Sequence, residues 1–180
     1  MINFVVYKFT TMVIFCKDKH FWLVALVSFL SLFLFLGSSS FHTRGEPREA
    51  LVAQAMINGS NWTLPTTNGV DMAYKPPFFH WMIAATSSVA GEVNEYTSRF
   101  PSALALAAMV LVGYAFFAKR RGRELALLTA LITLTNFEVH RAGVNCRVDM
   151  VLAAFMVLAL YELYKWAEKK LKGIPWLGIL

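Results

Sequence analysis

The sequence has 180 residues, of which 57% are hydrophobic and 16% are charged, and its formal net charge is +6 at pH 7. So large an apolar share, gathered in blocks of about 16 to 20 residues, excludes an ordinary soluble domain and is typical of membrane-spanning helices. The excess positive charge lies in short clusters, which indicate membrane topology and no nucleic-acid partner, and the two cysteines lack the spacing of a zinc site.

The first hydrophobic block covers residues 21–40 and follows a short basic region. A signal peptide has the same order, but this block is long for a signal core, and no small-residue cleavage site ends it. The sequence therefore predicts a retained transmembrane helix that starts on the cytoplasmic side.

Residues 41–99 form the least basic polar segment, so we expect them on the outer side of the membrane. Pro47 suits the first turn of a helix there, and Asn58 and Gly59 are typical of its end. A second apolar stretch, 77–90, would rise only ~21 Å as a helix, too short for a ~30 Å hydrocarbon core. Both helices are predicted to lie in the membrane interface.

Three further blocks are predicted to span the membrane and a fourth to begin doing so: 100–118, 125–140, 148–164 and a start from 175. The basic clusters at 119–123 and 165–172 then share the cytoplasmic side, as the positive-inside rule requires. The predicted fold class is an all-α integral membrane protein, a multi-span helical bundle with two interfacial helices in its first outer loop. Because the last block starts without finishing, we expect residues 1–180 to be part of a longer membrane domain.

Three ionisable residues from separate segments are predicted to lie near the outer face: Glu46, Lys75 and Asp149. Asp149 opens an apolar helix, where a charge is costly unless it faces a cavity or a bound partner; a helix cap is the alternative. Lys75 precedes two prolines that hold its backbone extended, which suits a phosphate-binding cation, with snorkelling toward lipid headgroups as the alternative. Glu46 could cap the helix at Pro47, and Arg147 shares the ambiguity of Lys75.

A set of motifs resembles a known family: GEPREALVAQAM, NGSNWTLPTTNG, YKPPFFHWMIA, SRFPSALA and HRAGVNCRVDMVLAAF. In this order they are similar to the opening third of the polyprenyl-phosphate-dependent membrane glycosyltransferases, the GT-C group that includes lipid A aminoarabinose transferase and protein O-mannosyltransferases. That family carries an acidic pair followed by an arginine in its first outer loop. Glu46 and Arg48 match the second acid and the arginine, whereas Gly45 replaces the first acid. Lys75 and Asp149 match the Lys-Pro-Pro and Asp-Met motifs of the family.

Tyr74 stands where the family commonly has a glutamate that can contribute to a metal site. The resemblance therefore leaves a divalent metal ion as an option that this sequence does not support. The histidines show no metal-ligand spacing, and no other cofactor is implied.

The resemblance implies transfer of a sugar from a polyprenyl-phosphate carrier to a lipid, glycan or protein acceptor on the periplasmic face of the bacterial inner membrane. Glu46 and Asp149 would be the catalytic carboxylates. The substrate-binding residues would be Lys75, Arg48, Tyr74 and Arg147, because a cation stabilises the departing carrier phosphate. The implied partners are the polyprenyl-phosphate-linked donor and membrane lipids. Two alternatives remain: a transporter or flippase segment whose charges bind solute, and a non-catalytic membrane subunit.

Overall fold

The computed structural model describes residues 18–59, 61–67, 71–72 and 75–168. The helices of this part are α1 (Lys19–Phe33), α2 (Gly45–Ile57), α3 (Phe78–Ala90), α4 (Glu95–Arg121), α5 (Arg123–Thr135), α6 (Phe137–Val144) and α7 (Val148–Glu168). Between α2 and α3, the strands β1 (Thr66–Thr67) and β2 (Asp71–Met72) pair antiparallel, with Thr66 opposite Met72. The predictions that concern Tyr74, the basic region before residue 18 and the block from 175 lie outside the described residues.

Helix α4 is the centre of the bundle, and α1, α3, α5, α6 and α7 all pack against it. Its start is fixed by a capping box, in which the Asn94 side chain accepts from the Thr97 N–H and the Thr97 hydroxyl accepts from the Asn94 N–H. Leu106 and Val110 are buried on its inner side and belong to the main hydrophobic core. The bundle is therefore organised by one long apolar helix with a well-defined first turn.

Pro101 lies inside α4 and cannot donate the backbone hydrogen bond that would reach the Thr97 carbonyl. The Thr86 hydroxyl of α3 lies 2.9 Å from that carbonyl oxygen. The proline thus leaves an acceptor open at the point where α3 crosses α4, and a side chain from the neighbouring helix occupies it.

Within the described residues, two helices are long and apolar enough to cross a membrane: α4, with 27 residues, and α7, with 21 residues. At 1.5 Å per residue they extend ~40 Å and ~31 Å, which matches a ~30 Å hydrocarbon core. Helix α1 is apolar but has only 15 residues.

Several predicted boundaries differ from the observed ones. The predicted span 125–140 is divided into α5 and α6 at Asn136, whose backbone is extended and whose side chain caps α6 by accepting from the Val139 N–H. The predicted first span, 21–40, is helical only to Phe33 and continues as turns. The helical character was predicted and is confirmed, but the β1–β2 pair was not predicted.

Helix α2 ends where the sequence predicted, with Ile57 as its last residue and Gly59 at a φ of +102°. A small second core joins α2, α3, the α6–α7 connection and the start of α7. Its buried residues are Ala53, Phe79, Ile83, Ala84, Cys146 and Val151. This core holds together the elements that carry most of the predicted site residues.

The opposite end of α4 has a polar cluster of its own. Asp18 is buried, and its Oδ2 accepts from the Tyr114 hydroxyl at 2.8 Å and lies 3.3 Å from Nε of Arg123. Its other oxygen caps α1 by accepting from the His20 N–H. Residues 99 and 114 of α4 are separated by ~22 Å along the helix, so this cluster is remote from the one described below.

Candidate functional site

The carboxylate of Glu49, on the buried face of α2, gathers three basic side chains. Its Oε1 lies 3.0 Å from Nη2 of Arg48 and 3.1 Å from Nζ of Lys75, and its Oε2 lies 2.7 Å from Nε2 of His80. Glu49 is 2% exposed, whereas the Arg48 and Lys75 side chains are 45% and 33% exposed. A buried acid therefore holds two cations whose outer sides remain open to a ligand.

Local structure explains this arrangement. Glu49 and the adjacent Arg48 lie in the first half of α2, and His80 lies in the first turn of α3. Lys75 is held close to α3 by Pro76 and Pro77, which restrict its backbone to extended conformations. The packing of α2 on α3 then brings the three segments to one carboxylate.

Burial alone would raise the pKa of the Glu49 carboxyl. The hydrogen bonds from His80 and Lys75, the charge of Lys75 and the hydrogen bond from Arg48 outweigh that effect and lower the pKa to about 2. Glu49 is therefore ionised at neutral pH and accepts hydrogen bonds only.

Glu46, predicted as a catalytic carboxylate, lies one turn earlier on the same face and is completely buried. Its Oε1 accepts from Nε of Arg99 at 2.8 Å and from the Cys146 N–H at 3.1 Å, and its Oε2 accepts from the His42 N–H at 3.2 Å. Burial raises the pKa of Glu46, but the Arg99 and Cys146 hydrogen bonds outweigh it and hold the pKa below its ordinary value. This carboxylate joins three segments of the fold and presents no free face to a substrate.

Cys146 donates its backbone N–H to Glu46, and its thiol is affected by the charges of both carboxylates. Its thiol is buried, and burial together with the charges of Glu49 and Glu46 raises the pKa of that thiol. A thiol with a raised pKa stays protonated and is a poor nucleophile, so the chemistry of this site is not that of a reactive cysteine.

Asp149 and Arg147, both predicted as site residues, lie at the start of α7. The Asp149 side chain is 69% exposed, and its Oδ2 is 3.8 Å from Nη1 of Arg147. The backbone of Arg147 is fixed because its carbonyl and its N–H both bond the Ser102 hydroxyl. Phe78 of α3 contacts Phe155 of α7, which places the end of the Lys75 segment beside α7.

The structure thus brings Arg48 and Lys75 together on Glu49 and buries Glu46 completely. Asp149 lies in the first turn of α7, and Arg147 lies directly before that helix. Among the residues that the structure describes, no group of three His, Cys, Asp or Glu side chains is placed to hold a metal ion.

Three residues that organise these buried contacts, Glu49, His80 and Arg99, were not predicted as site residues, although Glu49 and His80 belong to the group of ionisable residues in the first outer loop. One signal for them was present. Positions 46, 49, 53 and 56 follow the 3-4-3 spacing of a helix face. The two acids therefore share the face that buries Ala53 and Met56, which indicates that each needs a buried cationic or hydrogen-bonding partner.

A cavity of about 180 Å³ lies elsewhere, between α4, α5 and α7. Its lining is apolar apart from Thr129, Thr133 and the tyrosines Tyr114 and Tyr161, and it contains none of the predicted site residues. It is not a candidate for charge-based chemistry.

Comparison with known proteins places these elements in a family context. The sequence profile described as dolichyl-phosphate-mannose-protein mannosyltransferase matches residues 74–180. The matched part includes Lys75, His80, Arg147 and Asp149, whereas α2 with its two acids lies before it.

Two curated relatives carry the same protein name. The undecaprenyl phosphate-alpha-4-amino-4-deoxy-L-arabinose arabinosyl transferase of Shewanella sediminis (strain HAW-EB3) is 27% identical over 141 residues, or 78% of this chain and 26% of that protein. The protein of the same name from Pseudomonas paraeruginosa (strain DSM 24068 / PA7) is 34% identical over 107 residues, or 59% of this chain and 19% of that protein. The chain spans about a quarter of the length of the first of these curated relatives.

Solved structures share the fold. ArnT from Cupriavidus metallidurans bound to undecaprenyl phosphate matches with a TM-score of 0.73 at 23% identity, over 81% of this chain and 27% of that one. The apo state of the same protein matches with a TM-score of 0.72 over 78% of this chain and 26% of that one.

Proposed function

The chain belongs to the dolichyl-phosphate-mannose-protein mannosyltransferase family, and on that premise we propose that it forms part of a membrane glycosyltransferase. The enzyme transfers a sugar from a polyprenyl-phosphate carrier to an acceptor hydroxyl or phosphate on a lipid, glycan or protein. The observation that carries this proposal is the pair of half-exposed cations, Lys75 and Arg48, anchored on buried Glu49.

The reaction breaks the bond between the sugar carbon and the carrier phosphate oxygen, and the phosphate leaves with the bonding electrons. Lys75 and Arg48 stabilise that developing negative charge, which lowers the barrier to departure. The acceptor oxygen forms the new bond to the sugar carbon. For a hydroxyl acceptor, its proton passes to a carboxylate.

Asp149 is the carboxylate best placed for that step, because it is exposed and its cationic neighbour, Arg147, is 3.8 Å away. Arg147 orients the acceptor or the sugar phosphate beside it. Glu46, which the sequence predicted as the second catalytic acid, acts as a positioning residue because its oxygens are bonded to buried donors. Tyr74 remains a proposed substrate-binding residue because it directly precedes Lys75 in the sequence.

The proposed setting is the bacterial inner membrane, crossed several times, with the site on the periplasmic side. Helices α4 and α7 are the spans best supported by length and hydropathy. Arg120, Arg121 and Arg123 lie at the end of α4 remote from Glu49, which supports a cytoplasmic location for that end. Helices α2 and α3 lie in the interface and leave a lateral path for the lipid tail of the donor.

The test is donor use by the natural gene product reconstituted in nanodiscs. Undecaprenyl-phosphate-linked aminoarabinose and polyprenyl-phosphate-linked mannose are supplied in turn, and released polyprenyl phosphate is measured. Lys75→Ala should reduce donor use at least about tenfold, and Lys75→Arg should recover only part of it because the guanidinium fork differs in geometry. Lys165→Ala, which removes a lysine paired with Glu162 on α7, is the matched control and should keep full activity. Unchanged donor kinetics in both Lys75 variants would refute the proposal.

A further inference from the structure

The two oxygens of the Glu49 carboxylate face different surroundings. Oε1 contacts the partly exposed cations Arg48 and Lys75, whereas Oε2 contacts the His80 ring, which is 1% exposed. The carboxylate therefore links the open side of the site to a buried imidazole.

The tautomer of His80 follows from this contact. Glu49 is ionised and can only accept, so the hydrogen of the 2.7 Å bond must be on Nε2 of His80. The other ring nitrogen, Nδ1, is buried and has no hydrogen-bond partner within the described part of the chain. The neighbouring Phe79 ring lies edge-on to the imidazole, with 6.4 Å between the ring centroids, and the hydrogen bond to Glu49 fixes the side of the ring that carries Nε2.

This hydrogen bond limits how Glu49 engages the two cations. With Oε2 held by His80, Arg48 and Lys75 must share Oε1. Without that donor, the carboxylate can rotate and give each cation its own oxygen, which binds Lys75 more tightly to the protein. An ammonium has three N–H donors, and Glu49 takes one of them, so the native arrangement leaves donors for an anionic ligand.

We propose that His80 is a positioning residue that, by holding Oε2 of Glu49, keeps Lys75 available to bind the phosphate of the donor. This inference rests on the function proposed above. The charged groups that meet at the Glu49 carboxylate together with His80 are Arg48 and Lys75. His80 touches no substrate in this role and acts only through Glu49.

Two near-isosteric substitutions separate this role from a purely structural one. In His80→Gln the side-chain amide nitrogen reaches the position of Nε2 and still donates to Glu49. In His80→Asn the amide nitrogen reaches only the position of Nδ1, so the donation is lost while a polar side chain remains. Glu49→Asp is a further variant, because the shorter carboxylate cannot reach His80 and Lys75 together.

The experiment titrates the natural gene product in nanodiscs with undecaprenyl phosphate, follows tryptophan fluorescence, and measures KM and kcat for the sugar donor. Melting temperature and size-exclusion profile verify that each variant is folded. His80→Asn and Glu49→Asp should raise the Kd for undecaprenyl phosphate about tenfold and lower kcat/KM for the sugar donor by a similar factor. His80→Gln should stay within about twofold of the wild type.

Equal Kd values for His80→Gln and His80→Asn would overturn the proposal, whether both match the wild type or both are weakened. If His80→Asn does not fold, a wild-type Kd for Glu49→Asp overturns it instead. If Lys75→Ala weakens binding of undecaprenyl phosphate but the His80 variants do not, the positioning role of His80 is refuted while the proposed function is supported. A wild-type protein that neither binds undecaprenyl phosphate nor uses the donor would overturn both.

Discussion

Oε1 of Glu46 lies 2.8 Å from Nε of Arg99, and both side chains are almost completely buried. Arg99 also donates from Nη1 to the Leu36 and Ser39 carbonyls and from Nη2 to the Ser40 carbonyl. One guanidinium therefore ties the chain that follows α1 to α2 and α4. The pair is a structural centre of the segment that carries the candidate site.

We expect Arg99→Lys to destabilise the protein although the charge is kept. A lysine ammonium cannot reproduce the planar fork that serves Glu46 and three backbone carbonyls at once. Breaking a buried ion pair costs ~3–5 kcal/mol, and Glu46→Gln should fall in the same range. Thermal unfolding in detergent measures the loss. Arg141→Lys, at an exposed pair with Glu138, is the control and should change stability by less than ~1 kcal/mol.

The sequence predicted the helical elements well because hydrophobic blocks, prolines and helix-ending glycines act locally. It could not identify the partner of each buried charge. Glu46 meets Arg99 across 53 positions and Glu49 meets His80 across 31, and nothing in the local pattern encodes either pairing. Arg99 in particular was counted as a polar residue of the outer loop, whereas it lies inside α4 and is 1% exposed.

Asn136 illustrates a second limit. The sequence from 125 to 140 is apolar enough to predict one continuous span, but a single extended residue divides it into α5 and α6. Asparagine is a favoured N-cap residue, and an N-cap residue typically has an extended backbone, so the break has a local cause. Hydropathy averaged over the block hides that cause.

Membrane topology is tested by cysteine accessibility. Cys16 and Cys146 are replaced by Ser and Ala, and single cysteines are introduced by Glu92→Cys and Arg121→Cys. In intact cells a membrane-impermeant maleimide should label position 92, which lies in the connection before α4, and should leave position 121 unlabelled. Detergent-permeabilised cells provide the control, in which both positions react. Labelling of position 121 from outside would contradict the proposed orientation.

Gly143 permits the close approach of α6 to α4. A Cβ atom at this position would clash with Cδ2 of buried Leu106 and lie 3.1 Å from its Cβ, so Gly143→Ala forces the leucine to move. We expect a loss of ~1–3 kcal/mol. Combining it with Leu106→Ala should cost less than the sum of the two single changes, because the smaller side chain accommodates the new methyl group. Gly45→Ala, where no atom lies within 4 Å of the added Cβ, should be nearly neutral.

The Glu49 cluster predicts a pH dependence of stability with a defined sign. The pKa of Glu49 is about 2 in the folded protein against an ordinary value of 4.5, so folding favours the ionised acid. Its contribution is fully present above about pH 4.5 and is lost as the pH falls toward 2. The difference in melting temperature between the wild type and Glu49→Gln should therefore stay level from pH 6 to about pH 4.5 and narrow progressively from there toward pH 2. A constant difference over that interval would contradict the assignment of the lowered pKa to Glu49.

Substitution of Asp149 tests whether its carboxylate takes part in catalysis or only stabilises the start of α7. It lies in the first turn of α7 with an exposed side chain and Arg147 at 3.8 Å, so its structural contribution is that of a surface ion pair near a helix dipole. Such a contribution is worth ~1 kcal/mol or less. Asp149→Asn should therefore leave the melting temperature within a few degrees of the wild type. If Asp149 accepts the acceptor proton, the same change should lower kcat by about 10²-fold or more, because general-base catalysis contributes roughly that factor.

The matched control for Asp149 is Glu138→Gln, since Glu138 is an exposed acid in the first turn of α6, paired with Arg141. It shares the dipole and the surface ion pair of Asp149, and we expect full activity from it. If the two variants show equal and small losses of turnover, the role of Asp149 is that of a helix-terminal charge and the proton acceptor must be sought elsewhere. If only Asp149→Asn shows a large loss of turnover, and this variant melts normally, the loss cannot arise from the helix dipole or from the ion pair. That result assigns the proton transfer to the Asp149 carboxylate.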